Sequence, residues 1–215
     1  MNVELIALTR YLRGDGMPVA LLEHAGRICY QSASRGEPGK FVRARVEEGH
    51  ESIIEHASAT FEISGISRAC SHQLVRHRLA SYSQESQRYV DMSEPEWALP
   101  PDLLESEKAI AIWADFAEKV KGVYQALREL GLRKEDARFV LPNAAATRIV
   151  VTMNFRELLH FFRIRISGAA QWEIREVGVR MLELVTPHAP SVFGSFRERM
   201  MQERPEFFEG IEGAE

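Results

Sequence analysis

Over residues 103–130, apolar side chains return at intervals of three and four: Ile110, Trp113, Ala117, Val120, Tyr124 and Leu127. That spacing lays one stripe along an α-helix, and Gly131 follows as its stop. So long a helix sets the balance of the fold. The same period predicts helices over Pro18–Tyr30, residues 67–78 and residues 170–184. Shorter helices are expected at residues 50–56, at residues 134–142 (closed by Pro142) and after Pro190. Asn154 followed by Glu157 resembles a capping box and opens a further helix to about residue 167. Three strands stand against these. Asn2–Leu8 is one. Residues 59–64 set Phe61 and Ile63 against Thr60, Glu62 and Ser64, the alternation of a half-buried strand. Residues 146–153, ATRIVVTM, are rich in β-branched side chains. Turns are expected at residues 14–16 and 35–40, and the polar stretch over residues 81–88 is predicted to be a loop. The reading is α+β and helix-dominated.

Composition excludes several classes. Of 215 residues, 27% are charged and 45% hydrophobic, the profile of a globular chain and not a disordered one. The 31 acids outnumber the 27 basic residues, so at a net charge of −4 no overall basic field draws nucleic acid or an anionic membrane. No apolar run approaches the length of a membrane span, and residues 1–16 lack a signal-peptide core. Two cysteines, Cys29 and Cys70, supply neither a disulfide framework nor a Cys-rich zinc site, and no metal is expected. These features predict a cytoplasmic protein of one domain over residues 1–215, its mixed-charge tail frayed from about residue 200.

The basic residues are 22 Arg and 5 Lys, and seven of the arginines fall from Arg138 to Arg180 against three acids, Glu157, Glu173 and Glu176. Arg captures phosphate or carboxylate in a bidentate fork, whereas Lys is mostly a solvated point charge. Genome composition or ion-pair networks at high temperature also favour Arg, so placement has to decide. Arg165 lies seven residues after Leu158, on nearly the same helical face as that apolar side chain. A guanidinium directed into an apolar face is costly without a partner. An internal acid, snorkelling at the helix end, a bound anion or an electron-rich ring edge would each satisfy it.

Arg76-His77-Arg78 is a second anomaly. Two apart on a helix, the arginines point to nearly opposite sides and cannot clamp one phosphate, so they serve two groups or the helix ends there. Ser81, Ser83, Gln84, Ser86, Gln87 and Arg88 follow with hydroxyl, amide and guanidinium donors, suited to wrapping a polar ligand or to plain solvation. GHESIIEH gathers His50, Glu51, Glu55 and His56 but not at HExxH spacing, and capping and polar packing account for most of it. There is no GxGxxG after a strand, no GxxxxGK[ST] and no GxSxG elbow. Neither cysteine has the surroundings of a low-pKa nucleophile.

RHRLASYSQESQRY, residues 76–89, resembles the signature RHRxxSxxxxSxR of flavin-dependent thymidylate synthases, with Arg76, His77, Arg78, Ser81, Ser86 and Arg88 on its fixed positions. GHESIIEH, Gln73, ARFVLP, NFRELLHFFRIR and AQWEIR are further landmarks in that family's order, so the resemblance spans residues 2–196. It implies the family's fold, a helix-dominated single domain with a small, mostly antiparallel sheet. It also implies the family's methyltransferase activity. There dUMP becomes dTMP, methylenetetrahydrofolate gives the carbon, and FAD reduced by NADPH supplies hydride without an enzyme Cys nucleophile. Carried over by position, the resemblance implies FAD contacts at Ser52, Glu55, Arg76, His77, Arg78, Gln84, Asn154, Arg156 and His160. It implies dUMP contacts at Gln73, Arg76, Gln84, Ser86, Arg88, Arg138 and Arg165. Arg165 matches the arginine that bonds the pyrimidine and favours its ionisation at N3, which makes it the catalytic residue. A homotetramer with shared active sites follows from the same resemblance, with no nucleic-acid or membrane partner.

Two departures stand out. Ser83-Gln84 occupies a place where members often carry Asn-Glu or Asn-Gln, so Gln84 keeps the hydrogen-bonding geometry but not a Glu's charge. Where many members have a His soon after the matched arginine, this chain has Ala169 between Gly168 and Ala170, leaving room in place of an imidazole. Two alternatives follow: a flavoprotein of this fold that only oxidises NADPH, and an Arg-rich nucleic-acid module. The negative net charge and the scarcity of Lys count against the second.

Overall fold

The computed structural model describes residues 1–33, 36 and 38–211. Four strands, β1 (Asn2–Leu8), β2 (Ser58–Ser67), β3 (Ala80–Gln84) and β4 (Ala146–Asn154), form an antiparallel sheet in the order β1-β2-β4-β3. The helices among the described residues are α1 (Pro18–Tyr30), α2 (Pro38–Glu47), α3 (Arg68–Leu74), α4 (Pro101–Leu104), α5 (Glu107–Glu129), α6 (Lys134–Ala137), α7 (Phe155–Arg165), α8 (Trp172–Val185) and α9 (Pro190–Glu203). Short 3-10 turns lie at Glu51–His56, Arg138–Val140, Thr186–His188 and Pro205–Phe207. This is the expected α+β, helix-dominated architecture. None of the described helices is long and apolar enough to cross a membrane.

Four local expectations are corrected. The long helix predicted over residues 103–130 is interrupted, because Ser106 leaves helical geometry and its hydroxyl accepts from Ala109 N at 3.3 Å, capping α5. The helix predicted over residues 67–78 stops at Leu74. Beyond it the His77 side chain is buried and its carbonyl accepts from the Tyr82 hydroxyl at 2.8 Å, contacts that outweigh local helix propensity. The offset argument for Arg76 and Arg78 therefore resolves in favour of the helix ending first. Residues 80–84 are a strand, not a loop, and their apolar-polar alternation is hidden because an inward position is Gln84, satisfied by Ser71 and Thr147. Finally, α2 opens at Pro38, where a missing N–H costs a helix nothing. Of the turn expected over residues 35–40, Arg35 and Glu37 lie outside the described residues, as do residues 212–215 of the tail.

By contact the chain divides into two compact units. The first comprises residues 1–2, 63–76 and 83–149. Its α5 buries Tyr124 against Met92 and Ala137, with Leu127, Val140 and Leu141 around them, and the Tyr124 hydroxyl accepts from Met92 N at 3.2 Å. The second comprises residues 3–62, 77–82 and 150–215. Its core is aromatic: Phe193 of α9 meets Phe155 and Phe162 of α7 edge-on at 5.1 and 5.7 Å between ring centroids. Strand pairing there is reinforced by a Thr60–Thr152 hydroxyl hydrogen bond of 2.9 Å. The chain past residue 200 continues α9 to Glu203, and Phe207 then stacks against the guanidiniums of Arg175 and Arg204 at 4.5 and 4.3 Å.

Candidate active site

In the first unit, Ser67 caps α3 by accepting from Cys70 N at 2.9 Å, which puts Arg68 in the first turn. A cation there opposes the helix dipole. Arg138 emerges just after α6, its Nε donating to the Glu135 carbonyl at 3.1 Å. Arg68 and Arg138 line a cleft of about 290 Å³ with His72, Gln87, Phe139, Leu141, Pro142 and Asn143, a wall that contains no acid. Burial holds the Arg68 guanidinium below its ordinary ionisation range, Arg138 pushes it the same way, and Glu85 opposes both. Two like charges facing one cleft are relieved by an anion between them. Arg68 was not among the residues expected from the sequence; its signal was an arginine at the unfavourable end of a short helix.

Around this cleft the polar residues of the signature are tied down. The Gln84 amide nitrogen donates to Ser71 Oγ at 2.9 Å and Thr147 Oγ1 at 3.2 Å, and the Ser71 hydroxyl donates onward to the Arg68 carbonyl at 2.9 Å. That orientation leaves the Gln84 carbonyl oxygen as its remaining acceptor. Ser86 Oγ accepts from Arg88 N at 3.3 Å, shaping the turn after β3. Arg88 Nε donates to Glu135 Oε2 at 3.1 Å, so Glu135 tethers Arg88 through its carboxylate and Arg138 through its carbonyl. Gln73 is half-buried on α3, and Arg76 is exposed just beyond it. The sequence-predicted residues Gln73, Arg76, Gln84, Ser86, Arg88 and Arg138 thus all belong to the first unit.

The second unit holds the rest. Asn154 Oδ1 accepts from Glu157 N at 2.8 Å and starts α7, the expected cap. Its amide nitrogen is not used in that cap. Arg156, His160 and Arg163 then occupy one exposed face at spacings of four and three. Glu55 pairs with Arg156, raising that guanidinium's ionisation further, and Glu51 pairs with Arg163 at 2.7 Å. Two residues expected to touch FAD, Glu55 and Arg156, are therefore bonded to each other. Ser52 is exposed on the same 3-10 turn as Glu55, and Arg78 is exposed next to His77.

The opposite side of α7 carries the less ordinary arrangement. His77 is buried, 5% exposed, with its ring edge-on to Phe161 at 4.9 Å and to His160 at 5.9 Å. Arg165 Nε donates to His77 Nε2 at 3.1 Å, and His77 Nδ1 lies 3.4 Å from Glu157 Oε1. Burial, then the charges of Arg165 and His160, push the imidazole down to about 4, so it is neutral near pH 7. Glu157 is raised by burial against the opposing influence of His160, and Tyr82 is raised by burial and by Glu157. Chemically, the arrangement sets an uncharged imidazole against the Nε of the Arg165 guanidinium. After Arg165, the Arg204 guanidinium lies beside Gly168, where a β-carbon would stand 2.9 Å from Arg204 Nη1.

The family profile described as Thymidylate synthase complementing protein matches residues 11–191. A flavin-dependent thymidylate synthase of Geobacter sulfurreducens is 46% identical over 198 residues, covering 82% of this chain and 85% of its own. The chain belongs to the flavin-dependent thymidylate synthase family. A second relative of that description, from Nitratidesulfovibrio vulgaris, is 45% identical over 214 residues, covering 89% of this chain and 85% of its own. Among solved structures, the Helicobacter pylori flavin-dependent thymidylate synthase complexed with FAD and dUMP aligns with a TM-score of 0.73 over 91% of this chain and 99% of that one. At 24% identity that match establishes the family's fold here.

Proposed function

We propose that the chain converts dUMP to dTMP by reductive methylation, with methylenetetrahydrofolate as carbon donor and FAD, reduced by NADPH, as the hydride source. Family membership and the ligands of the Helicobacter pylori protein support the reaction class. The observation that carries the mechanism is Arg165 held on the unprotonated nitrogen of a buried, neutral His77. A guanidinium paired with a carboxylate is already neutralised. An imidazole in that place orients the guanidinium without adding a counter-charge of its own, which suits an anion that develops during reaction. Arg165 in this reading bonds the pyrimidine, favours loss of its N3 proton and stabilises the resulting enolate-like charge, making the ring the nucleophile towards the folate methylene.

Arg68 and Arg138 hold the dUMP phosphate in this reading, their mutual repulsion relieved by the dianion, with Arg76, Ser86 and Arg88 as further donors. Gln73 and Gln84 take the nucleoside, Gln84 through its carbonyl oxygen. The second unit's donor set suits FAD: Arg78, Arg156 and His160 for the pyrophosphate, Ser52 and the Asn154 amide for hydroxyl and ring edges, and Glu55 as an acceptor, while His77 is buried with its ring nitrogens towards Arg165 and Glu157. FAD, when bound, supplies the hydride; these side chains bind and orient it. The same reading takes the chain as one functional domain, assembled as a homotetramer with shared active sites.

The test is a visible spectrum of the full chain after incubation with FAD and desalting, followed by dTMP formation. Retained flavin that bleaches anaerobically with NADPH, shifts with dUMP and yields dTMP is the expected outcome. A colourless, folded protein unaffected by dUMP refutes the proposal, and NADPH oxidation without dTMP points to the oxidase alternative. Arg165→Ala is expected to keep FAD and to lose dTMP formation by a factor on the order of 10²–10³, the usual cost of removing a preorganised charge-stabilising donor.

A further inference from the structure

Glu157 has no role in the reading so far, yet it is a buried carboxylate, with its side chain 7% exposed, on the helix that carries Arg165. The two residues are eight apart, close to the same side of α7 but roughly 12 Å apart along its axis, too far for a direct pair. His77, from outside the helix, bridges them. Its Nε2 accepts from Arg165 Nε at 3.1 Å, and an imidazole that accepts at Nε2 carries its proton on Nδ1. Nδ1 is the nitrogen 3.4 Å from Glu157 Oε1. Without an acceptor beside Nδ1 the other tautomer becomes available, and it would set an N–H against the N–H of Arg165.

We propose that Glu157 is a positioning residue for the methyl-transfer reaction: it selects the Nδ1–H tautomer of His77, and the tautomer orients the Arg165 guanidinium. This rests on the reading of Arg165 as the catalytic cation. The Asn154 cap holds the Glu157 backbone in the first turn of α7, and the Tyr82 hydroxyl bond fixes the His77 backbone. Phe161 and His160 confine the imidazole plane. The carboxylate sits one imidazole away from the guanidinium, so it sets direction without neutralising the charge. Second partners of this kind commonly set the tautomer of a functional histidine.

The experiment uses the full chain with FAD bound and compares wild type, Glu157→Gln, Glu157→Met and Arg165→Ala by dTMP turnover and by ¹H–¹⁵N correlation of the histidine ring nitrogens. Wild-type His77 is expected as Nδ1–H. Gln still offers an acceptor, so Glu157→Gln should keep that signal and most of the turnover. Glu157→Met should shift His77 towards Nε2–H and lower kcat about ten- to hundred-fold, the scale of a misplaced catalytic group, with KM for dUMP little changed. Nε2–H in the wild-type protein overturns the proposal whether or not any variant folds. So do equal losses in the Gln and Met variants, wild-type turnover in Glu157→Met, or a loss confined to KM. An active Arg165→Ala protein overturns the underlying reading, whereas an inactive one beside a fully active Glu157→Met overturns the relay alone.

Discussion

Arg138→Met tests the phosphate cleft, because the structure separates what this arginine gives to a ligand from what it gives to the fold. Methionine keeps most of the aliphatic stem and removes the charge. Among the described residues the Arg138 side chain makes one hydrogen bond, 3.1 Å to the Glu135 carbonyl, a contribution of about 0.5–1.5 kcal/mol. Its removal also lifts the like-charge pressure on Arg68. The two effects oppose, so the melting temperature without ligand should barely move. Towards a phosphate dianion the loss is a charge-assisted hydrogen bond, about 1.5–3 kcal/mol. At roughly 1.4 kcal/mol per decade that is a dUMP affinity about 10- to 150-fold weaker, and an unpressured Arg68 favours the lower part of the range. Calorimetric titration at two salt concentrations, with dUMP and with deoxyuridine, isolates the phosphate. The variant should lose dUMP affinity and part of its salt dependence while deoxyuridine binding stays as it was. Equal losses for both ligands, or unchanged dUMP binding, would show that the Arg68–Arg138 cleft is not where the phosphate sits.

Two further outcomes concern stability. His77 is held at about 4 against an ordinary 6.5, so between those values the folded protein binds fewer protons than the unfolded chain. Its stability is therefore complete above pH 6.5, falls as the pH drops towards 4 and levels off below, by up to about 3 kcal/mol at 1.36 kcal/mol per unit. His77→Gln should flatten that part of the acid profile in urea melts taken from pH 7 to 4, and an acid slope equal to wild type would contradict it. In Gln84→Glu, a carboxylate replaces the amide donor facing Ser71 and Thr147. Ser71 already donates its hydroxyl to the Arg68 carbonyl, so the substitution should cost about 1–3 kcal/mol in thermal denaturation at neutral pH. No change would mean that the two hydroxyls simply turn round.

What the sequence shows and hides follows from the range of the interactions involved. β1, α1 and the Asn154 cap of α7 are legible because neighbours a few positions apart specify them. β3 is not, since its inward face is polar and its partners, Ser71 and Thr147, lie 13 and 63 positions away. Residues 75–78 read as helix until His77 is seen buried against α7. The site divides the same way. Arg165 can be singled out from sequence as a guanidinium on an apolar stripe, to be satisfied by an acid, the helix end, an anion or an electron-rich ring edge, but nothing near it in the chain selects among these. One of its actual partners is a neutral imidazole 88 positions distant, with the acid one step further back. That arrangement is invisible to any rule that pairs opposite charges. In the proposed reading, an acid in the place of His77 would offset the cation that the reaction calls on. A site that must meet a charge appearing only during reaction needs a cation that is oriented beforehand but not neutralised. In the proposed reading, the Glu157–His77–Arg165 order supplies the orientation, and His77 itself adds no negative charge beside the guanidinium.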